Sequence, residues 1–306
     1  MGRTTDYQAA GKTITGGVAQ TVTFTSSDVE GAGVIAYHLA MTGANNLSMI
    51  DRIRVKANGM PFYDISTNLY RAYVQRFTRG AFHYPTTAQP PTPSTAGTVQ
   101  NWRRFTIPFC FLDREKSEES DVCQFPVGAL PTIEVVFNAT SVAGTLFCAW
   151  TQNGDITPLC YPKLYSSQMN IALGVVNARY PFSEDGVIRG FGVETTGLGR
   201  FRSVINGRQV YHAQGQPVDS ATFTEDMLFL ETEHLFGGAQ YSMTGAITNA
   251  LDTTIVDPAW IKITSGDEGA PGNTFVELTT TAAWSGPTSE LGIYAVVPYK
   301  AQAKAA

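Results

Sequence analysis

Ile53-Arg54-Val55-Lys56-Ala57-Asn58-Gly59-Met60-Pro61-Phe62-Tyr63 is written again, in outline, as Phe201-Arg202-Ser203-Val204-Ile205-Asn206-Gly207-Arg208-Gln209-Val210-Tyr211. Each copy opens on alternating residues, the period-two pattern of a half-buried strand. Each then reaches Asn-Gly, the dipeptide best suited to the two positive-φ positions of a type I′ hairpin turn. Two variable residues, an apolar residue and a tyrosine follow in both. Upstream, Ile53, Val55 and Ala57 match Phe201, Ser203 and Ile205 in phase, with Ser203 the imperfect member.

Working outward, the correspondence continues in the same order. Gly33-Val34-Ile35 is answered by Gly186-Val187-Ile188, Thr42-Gly43 by Thr196-Gly197, and Ile133-Glu134-Val135 by Val276-Glu277-Leu278. A helix is predicted in the same slot of each copy. In the first, Leu69, Tyr70, Tyr73, Val74 and Phe77 share one helical face. Ser66 or Thr67 can cap its start and Gly80 can end it. In the second, Thr222-Phe223-Thr224-Glu225 has the form of a capping box, and Met227 to Leu230 carries the helix on toward Gly237-Gly238. Strand-like runs separated by Gly, Asn, Pro and Ser turns fill the rest, so the sequence predicts an antiparallel β-sandwich written twice in tandem. A linker is expected near Pro162–Met169. The breaker-rich run from Tyr84 to Gly97 is expected as an exposed loop of the first copy, and Ala213–Pro217 as an insertion of the second.

The bulk properties narrow the function. The chain has 306 residues, of which 43% are hydrophobic and only 15% charged, so its polar surface is largely uncharged. Uncharged polar groups cost less to desolvate than charges, which suits surfaces that pack against neighbours. A Thr-rich β protein with no such role has the same composition. The net charge of −5 argues against a broad nucleic-acid surface and no specific nucleic acid is expected. Arg52 and Arg54, two apart on a strand, are expected to line one solvated face. Cys110, Cys123, Cys148 and Cys160 form no CxxC pattern and are expected as reduced core residues. Met1–Asp6 has no apolar run, and no stretch is long and apolar enough for a transmembrane helix, so neither a leader nor a span is predicted.

No constellation points to catalysis. His38, His83, His212 and His234 form no metal-binding pair, and neither a GxSxG elbow nor a Walker A loop occurs. Glu134 and Glu277 are equivalent repeat positions, each in its own sandwich, rather than a facing acid dyad. The acidic run Asp113–Asp121 is expected as a solvated loop or an intersubunit charge patch. Its alternative is a weak structural Ca²⁺ site at Glu118, Glu119 and Asp121, although the spacing of a calcium loop is missing. Asp267-Glu268 is a weaker candidate of the same kind.

With Asn58, Gly59, Tyr63, Asn206, Gly207 and Tyr211 as markers of the repeat, the chain resembles the double-jelly-roll major capsid proteins of tailless icosahedral phages. The corticovirus-like and related lipid-containing aquatic phages are the nearest in outline. The resemblance rests on Ile53–Phe77 and Phe201–Phe236 with their upstream strands, about half the chain. It implies an all-β fold of two tandem eight-stranded antiparallel jelly-roll sandwiches, each with a short helix inserted after an Asn-Gly hairpin. The implied division is an N-terminal arm at 1–17, jelly rolls at 18–165 and 166–298, and a C-terminal tail at 299–306. The two ends are expected to reach neighbouring tiles or lipid headgroups.

The resemblance further implies a structural, non-enzymatic protein made in the host cytoplasm and housed in the virion capsid. Its partners would be two further copies in a pseudo-hexagonal homotrimer, neighbouring capsomers, minor capsid or penton proteins, and an internal lipid membrane. Two rivals are a carbohydrate-binding β-sandwich (a viral spike or lectin) and a two-jelly-roll hydrolase. The first would use Trp102, Trp150, Trp260 or Trp284 to stack on sugars, although Trp150 and Trp260 sit in apolar runs that favour a core.

Overall fold

The computed structural model describes residues 4–29, 33–67, 69–70, 73, 104–109, 130–153, 160–172, 178–181, 186–194, 198–205, 208–214, 259–262, 268–269, 274–280 and 290–298. The first half contributes β1 (Thr4–Gln8), β2 (Lys12–Ile14), β3 (Gln20–Phe24), β4 (Val34–Met41), β5 (Ile50–Ala57), β6 (Met60–Ser66), β7 (Arg104–Pro108), β8 (Pro131–Phe137) and β9 (Gly144–Asn153). The second contributes β10 (Cys160–Gln168), β11 (Ala178–Pro181), β12 (Gly186–Glu194), β13 (Leu198–Ile205), β14 (Arg208–Gln214), β15 (Ala259–Lys262), β16 (Glu268–Gly269), β17 (Phe275–Thr280) and β18 (Glu290–Pro298).

The opening stretch forms the centre from which each half is wound. β5 and β6 make the innermost hairpin, and Asn58 and Gly59 have φ of 51° and 79°, as a type I′ turn requires. Around this tip the chain pairs outward as β4 with β7, β3 with β8 and β1 with β9. Rolling up that long double ribbon brings β9 beside β4 and β8 beside β5. The result is two four-stranded orders, β1-β9-β4-β7 and β3-β8-β5-β6, which is a jelly roll. β2 adds to β9 beyond β1.

The second half repeats the plan strand for strand. Its orders are β10-β18-β12-β15 and β11-β17-β13-β14, with β16 added beside β12. Even the irregularities recur. The β5–β6 ladder slips between Val55 and Lys56, leaving Phe62 as the extra residue before Tyr63. The β13–β14 ladder slips between Ser203 and Val204, leaving Val210 before Tyr211. The apolar residue and tyrosine after each Asn-Gly are thus a bulge and the first regular pair beyond it. β4 and β12 carry matching slips as well, after Val34 and Ile188. These equate Val34 with Ile188, one residue away from the letter match of Gly33-Val34-Ile35 to Gly186-Val187-Ile188.

The core of the first roll is built by alternation. In β8, Ile133, Val135 and Phe137 are buried while their neighbours are partly open, and β5 buries Ile53, Val55 and Ala57 in the same way. Tyr63 is fully buried and meets Phe109 edge-on at 5.5 Å, and Phe109 meets Tyr37 likewise at 5.6 Å. Each such side chain contributes about 1.5–3 kcal/mol by leaving water.

Two expectations change. The stretch 1–17, expected as an arm, contains β1 and β2, both hydrogen-bonded to β9. Lys12 is tied to Asp28 at 2.9 Å, which fastens β2 near the end of β3. The Thr25 backbone N–H and Lys12 hold the Asp28 carboxyl below its usual range. The stretch Pro162–Met169, expected as a linker, is nearly all within β10, so the 165/166 boundary falls inside a strand. Of the first helix, Thr67, Leu69, Tyr70 and Tyr73 are helical, and Ser66 Oγ accepts from the Leu69 N–H as an N-cap. The second helix, Tyr84–Gly97 and the tail at 299–306 lie outside the described residues.

Gly59 sits in the left-handed region with open space around the position of a Cβ, so a side chain there meets only backbone strain. Gly59→Val is expected to lower the unfolding free energy by about 1–2 kcal/mol, and Gly59→Asn by less, as read from urea denaturation midpoints.

Candidate functional site: the seam between the sandwiches

Among the described residues, the two rolls join along one strand pair. β10 lies parallel to β6, with Leu164 opposite Tyr63 and Tyr165 opposite Asp64. This pair welds one sheet of each roll into a nine-stranded sheet, β15-β12-β18-β10-β6-β5-β8-β3 with β16 attached.

Arg52, on β5, is the hub of that seam. Its Nε donates to Asp64 Oδ1 on β6, and one terminal nitrogen donates to Glu290 Oε1 on β18 at 3.2 Å. The other terminal nitrogen donates to the Asp64 carbonyl at 3.1 Å and the Ser166 carbonyl at 2.5 Å. A planar guanidinium with five donors can tie β5 to three other strands in this way. Ser166 completes the network by donating its hydroxyl to Glu290 and accepting the Ser66 N–H at 3.0 Å. The Glu290 side chain is 3% exposed and that of Arg52 19%. A carboxylate so buried is tolerable only because its charge is matched and its oxygens are bonded.

Arg52 and Arg54 do share a face, as expected, but that face is not simply solvated. Arg54 reaches Asp64 at 3.1 Å and Glu134 at 3.6 Å, and Lys56 reaches Glu134 at 2.6 Å. The physical reason differs for the two: Arg54 meets carboxylates on the strands that flank it within the first roll, β6 and β8, whereas Arg52 alone reaches across the seam to β10 and β18. Glu134 and Glu277 fall at equivalent register positions, opposite Arg54 and Arg202 respectively. The second carboxylate is also paired, with Arg179 at 3.0 Å. Ser166 and Glu290 were not singled out from the sequence, because 114 and 238 residues separate them from Arg52.

An apolar contact runs beside the polar one. Tyr73, on the helical segment after β6, lies 5.0 Å from Tyr294 of β18, and Tyr294 belongs to the same buried cluster as the first roll's core. Tyr70 donates its hydroxyl to the Thr106 carbonyl and packs on Phe105, anchoring that segment to β7.

The remaining candidates are placed as follows. Asn58, Gly59 and Tyr63 form the inner hairpin of the first roll. Tyr211 lies on β14, while Asn206 and Gly207 lie outside the described residues between strands that pair Ile205 with Arg208. Glu118, Glu119 and Asp121 lie outside the described residues. Among those described, no group of three or more His, Cys, Asp or Glu is placed to hold a metal ion. Nor is any helix among them long and apolar enough to cross a membrane. His38 meets Thr106 at 3.0 Å and Thr151 at 3.1 Å, so it ties β4 to both neighbouring strands. Trp150 is buried, with Tyr7 stacked on it at 5.6 Å. Cys148 is a buried free thiol whose burial pushes its pKa up to about 12. Cys110 and Cys123 lie outside the described residues.

Two outcomes test this geometry. Arg52→Ala leaves Glu290 buried without its cation and is expected to cost about 3 kcal/mol in urea denaturation, with Arg52→Met/Glu290→Leu recovering most of the loss. Cys148 is expected to escape iodoacetamide at pH 8 in the folded protein and to be alkylated once urea unfolds it, as read by peptide mass mapping.

Comparison with known proteins shows where else this architecture occurs. No protein-family model and no curated protein matches the sequence. Solved structures do match, over nearly the whole chain. The major capsid protein P2 from Bacteriophage PM2 aligns with a TM-score of 0.62 at 11% identity, covering 98% of this chain and 99% of that one. The STIV MCP aligns with a TM-score of 0.61 at 11% identity, covering 100% of both chains. The PBCV-1 virus capsid aligns with a TM-score of 0.52 at 8% identity, covering 97% of this chain and 94% of that one. At these identities the likeness is one of fold, and the fold is the double jelly roll.

Proposed function

We propose that this double-jelly-roll chain is a viral major capsid protein, structural rather than enzymatic, that resides in the virion shell. The observation that carries the proposal is the seam. Two like sandwiches are welded into one sheet within a single chain, and proteins named as viral capsid components align with that arrangement from end to end.

In this reading three chains assemble into a trimer of six similar sandwiches. Such a trimer presents a nearly hexagonal outline and tiles an icosahedral lattice beside neighbouring capsomers and minor or penton proteins. A lipid membrane beneath the shell belongs to the same reading. Each contact in such a ring is heterologous, joining one patch to a different patch, and repetition closes it. The division into rolls follows the strands, with β10 opening the second. A sugar-stacking role finds no support at Trp150, whose ring lies buried beneath Tyr7.

Light scattering with negative-stain imaging tests the assembly. A species near three times 33.1 kDa with a hexagonal outline is expected. A chain that stays monomeric at high concentration would overturn the reading.

A further inference from the structure

The seam inside the chain joins the first strand of the second roll, β10, to the fifth main strand of the first roll, β6. Because both rolls follow one plan, each chain carries a second copy of both edges. β1 opens the first roll as β10 opens the second, and β14 occupies in the second roll the place of β6 in the first. β1 and β14 stand at the ends of their sheets. Among the described residues, each is paired with one strand, β9 and β13 respectively.

The registers specify which residues correspond. Tyr37 faces Trp150 across β4 and β9 as Phe191 faces Ile293 across β12 and β18. On the far side of the same strands, Tyr7 faces Trp150 and Tyr165 faces Ile293. Tyr7 therefore holds the place of Tyr165, and Asp6 that of Leu164. On the other edge, Val55 with Tyr63 and Arg54 with Asp64 correspond to Ser203 with Tyr211 and Arg202 with His212.

We propose that β1 of one copy adds in parallel to β14 of a second copy, repeating between chains the β6–β10 seam found within each. The repeated register sets Asp6 opposite Tyr211 of the partner subunit and Tyr7 opposite His212 of the partner subunit. The contact rests on the trimer proposed above and gives it a specific interface.

Three observations support this partner. An open edge strand is a ready template for another strand, and Tyr7, 41% exposed, is one of the few large apolar side chains left open among the described residues, on such an edge. β1 carries Asp6 and no base, whereas the edge strand β14 carries Arg208 and no carboxylate, so the two edges are opposite in charge. A head-to-tail contact that reuses an internal one also gives every roll in a ring the same kind of neighbour on both sides. The copy is not identical in chemistry. The positions of Arg52 and Glu290 correspond to Arg200 and Phe147, so the seam between chains lacks the buried carboxylate that locks the internal seam.

The test is a Tyr7→Cys/His212→Cys double variant of the full chain under mild oxidation. Adjacent strands lie about 4.8 Å apart, within reach of a disulfide. Covalent dimers and trimers are expected on a non-reducing gel from the double variant and from neither single variant, which retain the native cysteines. In the wild-type trimer, amides of 4–8 and 208–214 are expected to exchange slowly with deuterium, a readout that stands if the variant fails to fold. An intact trimer whose amides in both segments exchange freely, with no cross-link, overturns the strand pairing and leaves the trimer standing. A wild-type monomer overturns both.

Discussion

β6 and β10 run side by side in the same direction, and the relation between the two halves of the molecule depends on that contact. A parallel pair cannot be closed by a tight turn, so the chain must leave β6, complete the first roll through β7, β8 and β9, and return. Only two residue pairs are in register there. Backbone bonding over so short a stretch is weak support for a second sandwich. The burden falls on the side chains around it, Arg52 with Asp64, Ser166 and Glu290 on the polar side, and Tyr73 against Tyr294 on the apolar side. Both halves of that support are specific in ways a flexible tether is not, since the guanidinium needs its planar acceptors and the rings their edge-to-face approach.

A seam of this kind explains why the duplicated plan is conserved in geometry more than in chemistry within the chain. The bulge before Tyr63 and the bulge before Tyr211 occupy the same step of the roll, as do the slips in β4 and β12. Bulges add twist, and a rolled ribbon needs extra twist at fixed places to turn its corners. The residues at those places differ freely. Phe62 answers to Val210, and Asp64 to His212. Backbone irregularity is thus what the two halves share, while their side chains differ.

Much of the fold was legible in the sequence because its signals are local. Asn58-Gly59 announces a hairpin through the φ angles it tolerates, and the alternation of Ile53, Val55 and Ala57 announces which face is buried. Matching such signals in the same order, at separations close to half the chain, revealed the duplication. The failures were failures of context. Arg52 looks like part of a solvated stripe until a second sandwich arrives beside it, and Arg54 until the flanking strands bring Asp64 and Glu134 to it. Pro162–Met169 carries polar residues at intervals, as a linker would, because a seam strand has neighbours on both edges and its polar groups are met by Arg52 and Glu290. The N-terminal strand β1 is short and polar, and only the presence of Trp150 and β9 beneath it makes it a strand.

The amino-acid sequence by itself determined the unit: an antiparallel sandwich nucleated on an Asn-Gly hairpin, present twice, with alternation enough to fill each core. Those properties depend on residues close together in the chain, so they can be recovered from spacing and residue type alone. Only the tertiary structure decided how the units are joined. Arg52, Asp64, Ser166 and Glu290 meet across 238 residues through a parallel strand pair, and no local pattern encodes which distant carboxylate a given arginine will find. The same pairing decided that β1 and β14 are left as the equivalent edges, because a plan written twice in one chain uses each kind of edge once internally and carries the other copy to its boundary.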